Sequence, residues 1–296
     1  MSTMQSNLTA ASAGTFMLGG DLIVNRLGYG AMRITGKGVW GPPADKPAAL
    51  ATLRRAVELG VNLIDTADSY GPNVSEELIA EALYPYPAGV VIATKGGWER
   101  VGPGQWIHNA SPEHLTKAVE ESLKRLRLDR IDVYQLHIPD PAVSFDASME
   151  TLAGLRHQGK IRHVALSNVT CEHIERARKI VPIVSVQNRY SFADREWDFV
   201  VDYCEQHGIG FMPWAPLGQA RFANEALEKA ARQLKASLLQ VALAWLLKRA
   251  KNILPIPGTS QVAHLEENVA AASLELPREV FEELSAVAHT PKSLRG

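Results

Sequence analysis

The stretch Val61-Asn-Leu-Ile-Asp-Thr-Ala-Asp-Ser-Tyr-Gly71 joins a short apolar run to a loop that carries a carboxylate and a phenol. Residues 61–64 have the composition of a buried β-strand, and Asp65 comes directly after them. The loop then carries Tyr70 before a Gly-Pro pair interrupts the chain. Taken alone, Asp65 could cap a helix or be a solvated loop acid, and Tyr70 could be a half-buried aromatic residue.

Two later apolar runs end in the same way. Residues 90–94 run into Lys95, and residues 132–136 run into His137. Reactive side chains at three strand ends favour a common site over three unrelated surface residues. If these strands are parallel neighbours, Asp65, Lys95 and His137 will meet at one edge of the sheet.

Strand and helix patterns alternate regularly along the chain. Strands are predicted at residues 27–32, 61–64, 90–94, 132–136, 162–166, 183–187, 209–212 and 253–255. Helices are predicted from residue 47 and at 75–83, 111–127, 146–157, 170–179, 194–207, 224–249 and 262–272, with Ser237 dividing the long one and a short helix at 277–287. This alternation predicts an α/β fold, a closed (β/α)8 TIM barrel.

Residues 15–26 alternate around Gly19-Gly20-Asp21, which indicates a β-hairpin that could close one end of the barrel. A short C-terminal helix and tail complete the expected fold. We expect a single domain over residues 15–296, preceded by a flexible tail at residues 1–14.

Composition limits the possible partners. A net charge of −1 and a pI near 6.8 give no basic field for nucleic acid or an anionic membrane. The two cysteines, Cys171 and Cys204, fall in predicted helices without metal-ligand spacing, as expected of buried thiols in a reducing compartment. Neither a signal peptide nor a membrane span is evident. We therefore expect a soluble, cytoplasmic protein.

The motifs of several other enzyme classes are incomplete or absent in this sequence. Gly28-Tyr-Gly30 begins like a dinucleotide fingerprint, but Arg33 occupies the third glycine position and no helix pattern follows. HExxH, GxSxG and P-loop motifs are not found, and the nine histidines lack ligand spacing, so no metal is expected.

Asp65, Tyr70, Lys95 and His137 together suit the donation of a proton to a carbonyl oxygen. A phenol with a pKa near 10 is a weak acid unless a neighbouring cation stabilises its anion. Lys95 can supply that cation, Asp65 can hold Lys95 charged, and His137 can give the substrate oxygen a second hydrogen bond.

The chain resembles the aldo-keto reductase family over residues 15 to about 290. Besides the barrel pattern, the similar motifs are Asp-Thr-Ala-Asp-Ser-Tyr-Gly at 65–71, Thr-Lys-Gly-Gly at 94–97, Leu-His-Ile-Pro-Asp at 136–140 and Leu-Ser-Asn at 166–168. The resemblance implies that Tyr70 is the proton donor, that Lys95 and Asp65 tune its pKa, and that His137 orients the carbonyl. A histidine with a purely structural role at the barrel rim is the alternative for His137.

The resemblance also implies a nicotinamide dinucleotide that lies extended across the barrel mouth. The expected contacts to the carboxamide are Ser167, Asn168 and Gln187, and Trp214, followed by Pro216, Leu217 and Gly218, would stack on the nicotinamide ring. The expected contacts at the adenosine end are Gly258, Thr259, Ser260, Gln261, His264, Glu267 and Asn268. Family members often carry Arg where His264 stands, so NADPH is expected over NADH with a weaker preference than usual.

The substrate is expected to be a small carbonyl compound. Trp40, Trp98 and Trp106 lie in predicted rim loops and are candidates for the pocket wall, and Arg33 or Arg221 could meet an anionic or phenolic substituent. Short loops after strands four and seven and a short C-terminal tail predict a shallow, open pocket.

The amino-acid sequence at residues 24–32, 38–43 and 257–265 resembles the bacterial pyridoxal reductase branch of the family most closely. It implies NADPH-dependent reduction of an aromatic aldehyde, with pyridoxal to pyridoxine as the specific hypothesis. The alternatives are a broad-specificity detoxifying reductase of aldehydes and dicarbonyls, and an NADPH-binding partner that resembles a channel subunit. The sequence leaves monomer and homo-oligomer equally open.

Overall fold

The computed structural model describes residues 8–218 and 225–287. Its strands are β1 (Thr15–Leu18), β2 (Leu22–Asn25), β3 (Tyr29–Gly30), β4 (Leu63–Asp65), β5 (Val91–Gly96), β6 (Trp98–Gly102), β7 (Gln105–His108), β8 (Ile131–Leu136), β9 (Ile161–Ser167), β10 (Ile183–Gln187) and β11 (Gly210–Phe211). Seven of them form one parallel sheet in the order β11-β10-β9-β8-β5-β4-β3.

Residues 253–255 close this sheet into a (β/α)8 barrel. Leu254 N donates to Phe211 O at 2.8 Å on one side, and Gly28 N donates to Pro255 O at 2.9 Å on the other. Pro255 and Pro257 have no N–H to donate, so this eighth position holds a bridge between Phe211 and Ile253 rather than a regular ladder. The predicted barrel is confirmed, with an irregular eighth strand.

The helices surround the barrel. They are α1 (Lys46–Glu58), α2 (Val74–Leu83), α3 (Pro112–Leu126), α4 (Phe145–His157), α5 (Cys171–Arg178), α6 (Asp198–Gln206), α7 (Glu225–Leu234), α8 (Leu238–Arg249), α9 (Val262–Ala270) and α10 (Arg278–Ala286). Ser237 forms a capping box with Gln240 at the start of α8, which confirms the predicted division of the long helical stretch. Within the described ranges, no helix is both long and apolar enough to span a bilayer.

The N-terminal hairpin lies at the end of the barrel where the strands begin. β1 and β2 pair antiparallel, and Leu18, Leu22 and Val24 pack against barrel residues such as Leu63 and Val133. This confirms the predicted role of residues 15–26. Because the hairpin covers this end, the opposite end of the barrel, where the strands finish, is the one open to a ligand.

Three details differ from the sequence-based expectation. Residues 98–108 form the β6–β7 hairpin instead of an irregular loop. Helix α6 begins at Asp198 rather than at residue 194, because Ser191 and Asp194 exchange backbone hydrogen bonds in a turn. Part of the segment assigned to the flexible tail packs on the barrel, with Ala10 buried and its N–H bonded to Leu59 O at 2.8 Å.

The loop after strand seven, which contains Arg221, and the end of the chain beyond residue 287 lie outside the described residues.

Candidate active site

Four side chains meet at the open end of the barrel. Lys95 Nζ lies 2.7 Å from Asp65 Oδ2 and 3.3 Å from Tyr70 Oη. The rings of Tyr70 and His137 meet edge to face, with centroids 5.9 Å apart. The structure therefore brings together all four residues predicted to be catalytic.

Strand register explains this arrangement. β4, β5 and β8 are parallel neighbours, with Asp65 paired to Ala93 and Lys95 paired to Gln135. Asp65 and Lys95 therefore lie at or near the same end of the sheet, and His137 follows β8 directly. Tyr70 reaches them from the loop after β4, whose Asp68 N–H donates to Lys95 O at 3.2 Å.

Asp65 is held by more donors than the sequence analysis identified. Oδ2 accepts from Lys95, while Oδ1 accepts from Gln135 Nε2 and from Gln187 Nε2, both at 2.8 Å. Gln135 was missed, although it lies two residues before His137 and hence on the same face of the strand. Three donors fix the orientation of this buried carboxylate.

Burial and neighbouring charges set the pKa of each group. Burial lowers the pKa of Lys95, but the charge of Asp65 and the contact with Tyr70 outweigh it and raise the pKa above its ordinary value. Burial also raises the pKa of Tyr70, an effect that the Lys95 ammonium opposes. At neutral pH the site thus holds a protonated phenol beside a protonated amine.

His137 is neutral in this environment. Burial, followed by the charge of Lys95, holds the pKa of its imidazole well below the ordinary range. Ser69 Oγ lies 3.4 Å from Nδ1. When this hydroxyl donates to Nδ1, the neutral ring carries its proton on Nε2 and can donate it to a substrate oxygen.

A cavity of about 660 Å³ opens above these residues. Tyr70, His137, Trp98 and Trp106 are among its lining residues, and each indole centroid lies within 6.5 Å of the His137 ring centroid. Trp40 does not line this cavity and instead forms a backbone bridge to Gly71. Of the three tryptophans predicted for the substrate pocket, Trp98 and Trp106 therefore line this cavity and Trp40 does not.

The residues predicted to hold the nicotinamide lie along the same cavity. Ser167, Asn168, Gln187 and Trp214 line it, together with Pro216, Leu217, Gly218 and Gly258. Asn168 Oδ1 accepts from Trp214 Nε1 at 3.0 Å, and Asn168 Nδ2 donates to His137 O at 3.0 Å. Asn168 thus links the indole to the His137 backbone and fixes the position of both.

The segment predicted to bind the adenosine end of a cofactor has the features of an anion site. A Cβ added to Gly258 would lie 2.5 Å from Gly30 O, so only glycine lets these backbones approach so closely. Helix α9 follows with Gln261 as N-cap and no side-chain capping bond, so the first-turn N–H groups are available to an anion. Ser260 and Gln261 flank this helix start, His264 is exposed on its first turn, and Glu267 and Asn268 lie farther along the helix.

The cavity and this helix end fit a nicotinamide dinucleotide, with one end for a ring and the other for phosphates. Within residues 8–218 and 225–287, no group of three or more His, Cys, Asp or Glu side chains is arranged to hold a metal ion.

The sequence profile of the aldo/keto reductase family matches residues 26–289. The chain belongs to the aldo-keto reductase family. It is 48% identical to an uncharacterised oxidoreductase of Schizosaccharomyces pombe, over 94% of this chain and 91% of that protein. It is 47% identical to pyridoxine 4-dehydrogenase of Escherichia coli, over 93% of this chain and 99% of that protein.

Solved structures of aldo-keto reductases share the fold. A thermostable member in complex with the inhibitor epalrestat superposes with a TM-score of 0.81 at 29% identity, covering 92% of this chain and 98% of that chain. A Klebsiella pneumoniae aldo-keto reductase in complex with NADPH superposes with a TM-score of 0.77 at 26% identity, covering 92% and 93%. The expected family is thereby confirmed.

Proposed function

We propose that this aldo-keto reductase uses NADPH to reduce aromatic aldehydes to alcohols, with pyridoxal as the specific substrate. The observation that carries the proposal is the contact between Lys95 Nζ and Tyr70 Oη at the base of a cavity walled by indoles. The 47% identity to a pyridoxine 4-dehydrogenase supports the choice of substrate.

The protein side chains supply the proton and hold the carbonyl. The protonated phenol of Tyr70 donates to the carbonyl oxygen, and the Lys95 ammonium stabilises the phenolate that remains. His137 donates a second hydrogen bond to the same oxygen from Nε2. When bound, the reduced nicotinamide supplies a hydride to the carbonyl carbon.

Residues along the cavity would bind and orient the cofactor. Trp214 offers a flat indole for the nicotinamide, and the Asn168 hydrogen bond holds that indole in place. The N-terminus of α9 and the Gly258 backbone would receive the phosphates. NADPH is preferred here over NADH, in line with the NADPH-bound Klebsiella pneumoniae aldo-keto reductase.

Aromatic aldehydes suit the cavity because its wall offers indole faces. Trp98 and Trp106 lie edge to face, with centroids 5.8 Å apart, and an aromatic ring can stack on or abut either one. The same open, largely apolar cavity would also admit other aldehydes and dicarbonyls. A detoxifying reductase is therefore the second candidate. A role limited to cofactor binding ranks third, because all four residues expected to be catalytic are present: Asp65, Tyr70, Lys95 and His137, here called the tetrad.

A substrate panel separates these functions. Oxidation of NADPH and of NADH is followed by absorbance with pyridoxal, nitrobenzaldehyde, methylglyoxal and a ketosteroid. The proposal predicts the highest kcat/KM with pyridoxal and NADPH. Equal or faster turnover of simple aryl aldehydes or methylglyoxal would assign detoxification instead, and no aldehyde-dependent turnover would contradict both enzyme functions.

A further inference from the structure

Arg100 links three segments that surround the candidate active site. It lies on β6 and is half-buried. Its Nη1 donates to Val39 O and to Ser69 O, both at 2.8 Å, while Nη2 donates to Gly38 O at 3.0 Å and Nε donates to Gln105 O at 3.1 Å. One guanidinium thus joins the β6–β7 hairpin, the loop after β3 and the loop that carries Tyr70.

The two loops are also connected directly. Gly71 N donates to Val39 O at 3.3 Å, so Val39 O accepts from both Gly71 and Arg100. Val39 has φ of 55°, a left-handed conformation that is unfavourable for a β-branched residue. Such strain persists only where the surroundings impose it, and the hydrogen bonds to Arg100 and Gly71 are part of those surroundings.

The same guanidinium supports the aromatic wall of the cavity. Arg100 Cζ lies 3.7 Å from the ring centroid of Trp106, and the centroid of Trp106 lies 6.5 Å from that of His137. Stacking of a guanidinium on an indole at this distance is favourable and restricts the orientation of the indole. Arg100 therefore controls both the position of Trp106 and the backbone at Ser69, next to Tyr70.

Arg100 is bound by carbonyl oxygens instead of by an acid. Among the described residues it forms no salt bridge, and burial lowers its pKa. The donors of arginine are spread over a planar fork that reaches these carbonyls on three segments, whereas the donors of lysine all lie on one nitrogen. The site thus requires the shape of arginine and not only its charge.

We propose that Arg100 is a positioning residue that fixes the Trp106 wall and thereby sets the preference for aromatic over small aliphatic aldehydes. This inference rests on the proposed carbonyl reductase function. Tyr70, Lys95 and Asp65 do not contact Arg100 through any of the hydrogen bonds above. The hydrogen bond to Ser69 O also supports the loop that carries Tyr70, so loss of Arg100 should slow the reduction of every aldehyde to some extent. An aromatic aldehyde should lose the Trp106 wall in addition.

The test compares Arg100→Lys with Arg26→Lys. Arg26 is a matched control, since it also donates to three carbonyls, those of Leu247, Ala250 and Ile253, and burial also lowers its pKa. It follows β2, at the opposite end of the barrel. Nitrobenzaldehyde and propanal are reduced by each variant with saturating NADPH, and acrylamide quenching of tryptophan fluorescence is measured without substrate.

For Arg100→Lys, the ratio of kcat/KM with nitrobenzaldehyde to kcat/KM with propanal should fall on the order of 10-fold, mainly through a higher KM for nitrobenzaldehyde, because any effect at Ser69 is shared by the two substrates. Quenching by acrylamide should increase. Arg26→Lys should leave the ratio of the two substrates and the quenching unchanged. An equal loss for both aldehydes, or an unchanged ratio with Arg100→Lys, would overturn the proposal.

A failure of the proposed function gives a different result. If the wild-type protein reduces neither aldehyde, the reductase function is wrong, and the quenching experiment then tests Arg100 by itself. Increased quenching in Arg100→Lys alone would still support its positioning of the indoles, and unchanged quenching would overturn it.

Discussion

The ammonium of Lys95 lies 2.7 Å from Oδ2 of Asp65, and both side chains are almost completely buried. Two charges removed from water are stable together only when each finds its counter-charge and further hydrogen bonds. Asp65 and Lys95 are each other's counter-charge. Asp65 also accepts hydrogen bonds from Gln135 and Gln187, and Lys95 also donates to Thr66 O and Tyr70 Oη. The cation that supports the phenol is therefore held in place by a network that spans several strands.

The Lys95–Asp65 pair should behave as a unit. Asp65→Asn or Lys95→Met alone leaves one buried charge without its partner, which should lower the free energy of unfolding by about 3–5 kcal/mol. The double variant should lose much less than the sum of the two. Urea denaturation of the four proteins measures this coupling, and additive losses would show that the two charges do not depend on each other.

Gln135 and Gln187 provide a matched comparison. Each donates one hydrogen bond to Asp65 Oδ1 at 2.8 Å, but only Gln187 lines the cavity. Gln135→Leu and Gln187→Leu should each cost about 1–3 kcal/mol of stability because the carboxylate loses a donor. NADPH binding, measured by fluorescence titration, should weaken only for Gln187→Leu, so equal weakening in both would argue against a cofactor contact at Gln187.

Asp68 should make stability depend on pH. It is buried beside Glu76, and burial and that neighbouring charge raise its pKa to about 8. A carboxyl whose pKa is raised in the folded state stabilises the protein below its unfolded pKa near 3.8, and this contribution is lost as pH rises toward about 8.

Asp68→Asn should remove this dependence. The variant should be more stable than wild type, by an amount that grows between about pH 4 and pH 8 and then levels off. Each kcal/mol gained should raise Tm by about 2–4 °C. Thermal denaturation at several pH values measures the difference, and a gain that is constant with pH would contradict the raised pKa.

His264 should limit the preference for NADPH. It is exposed on the first turn of α9, where the 2′-phosphate is expected. His264→Arg should add a charge-assisted hydrogen bond worth about 1.5 kcal/mol, which lowers the KM for NADPH roughly 10-fold and leaves that for NADH unchanged. His264→Gln serves as the uncharged control, and an equal improvement with both cofactors would place the phosphate elsewhere.

The tetrad could be predicted because its signal is local. Asp65 and Lys95 lie at or near the C-terminal ends of β4 and β5, His137 directly follows β8, and parallel strands bring these ends to one edge. The Ser237 helix boundary was equally predictable from its capping box. In each case the information lies within a few neighbouring residues.

The parts that were missed depend on contacts between distant segments. Gln135, on β8, reaches Asp65 on β4 past the intervening strand β5, a contact that only the barrel creates. Arg100 is one charged residue in a glycine-rich segment, and only the hairpin brings it against carbonyls from residues 38, 39 and 69. The hairpin strands at residues 98–102 and 105–108 do not alternate between apolar and polar side chains, so their pattern does not predict strands.

The most direct test of the account is the turnover of Tyr70→Phe with NADPH and nitrobenzaldehyde or pyridoxal, with the NADPH dissociation constant measured alongside. General acid catalysis contributes about 10²–10⁴-fold, so kcat should fall on that order while cofactor binding is retained. An undiminished kcat in Tyr70→Phe would contradict the assignment of Tyr70 as the proton donor.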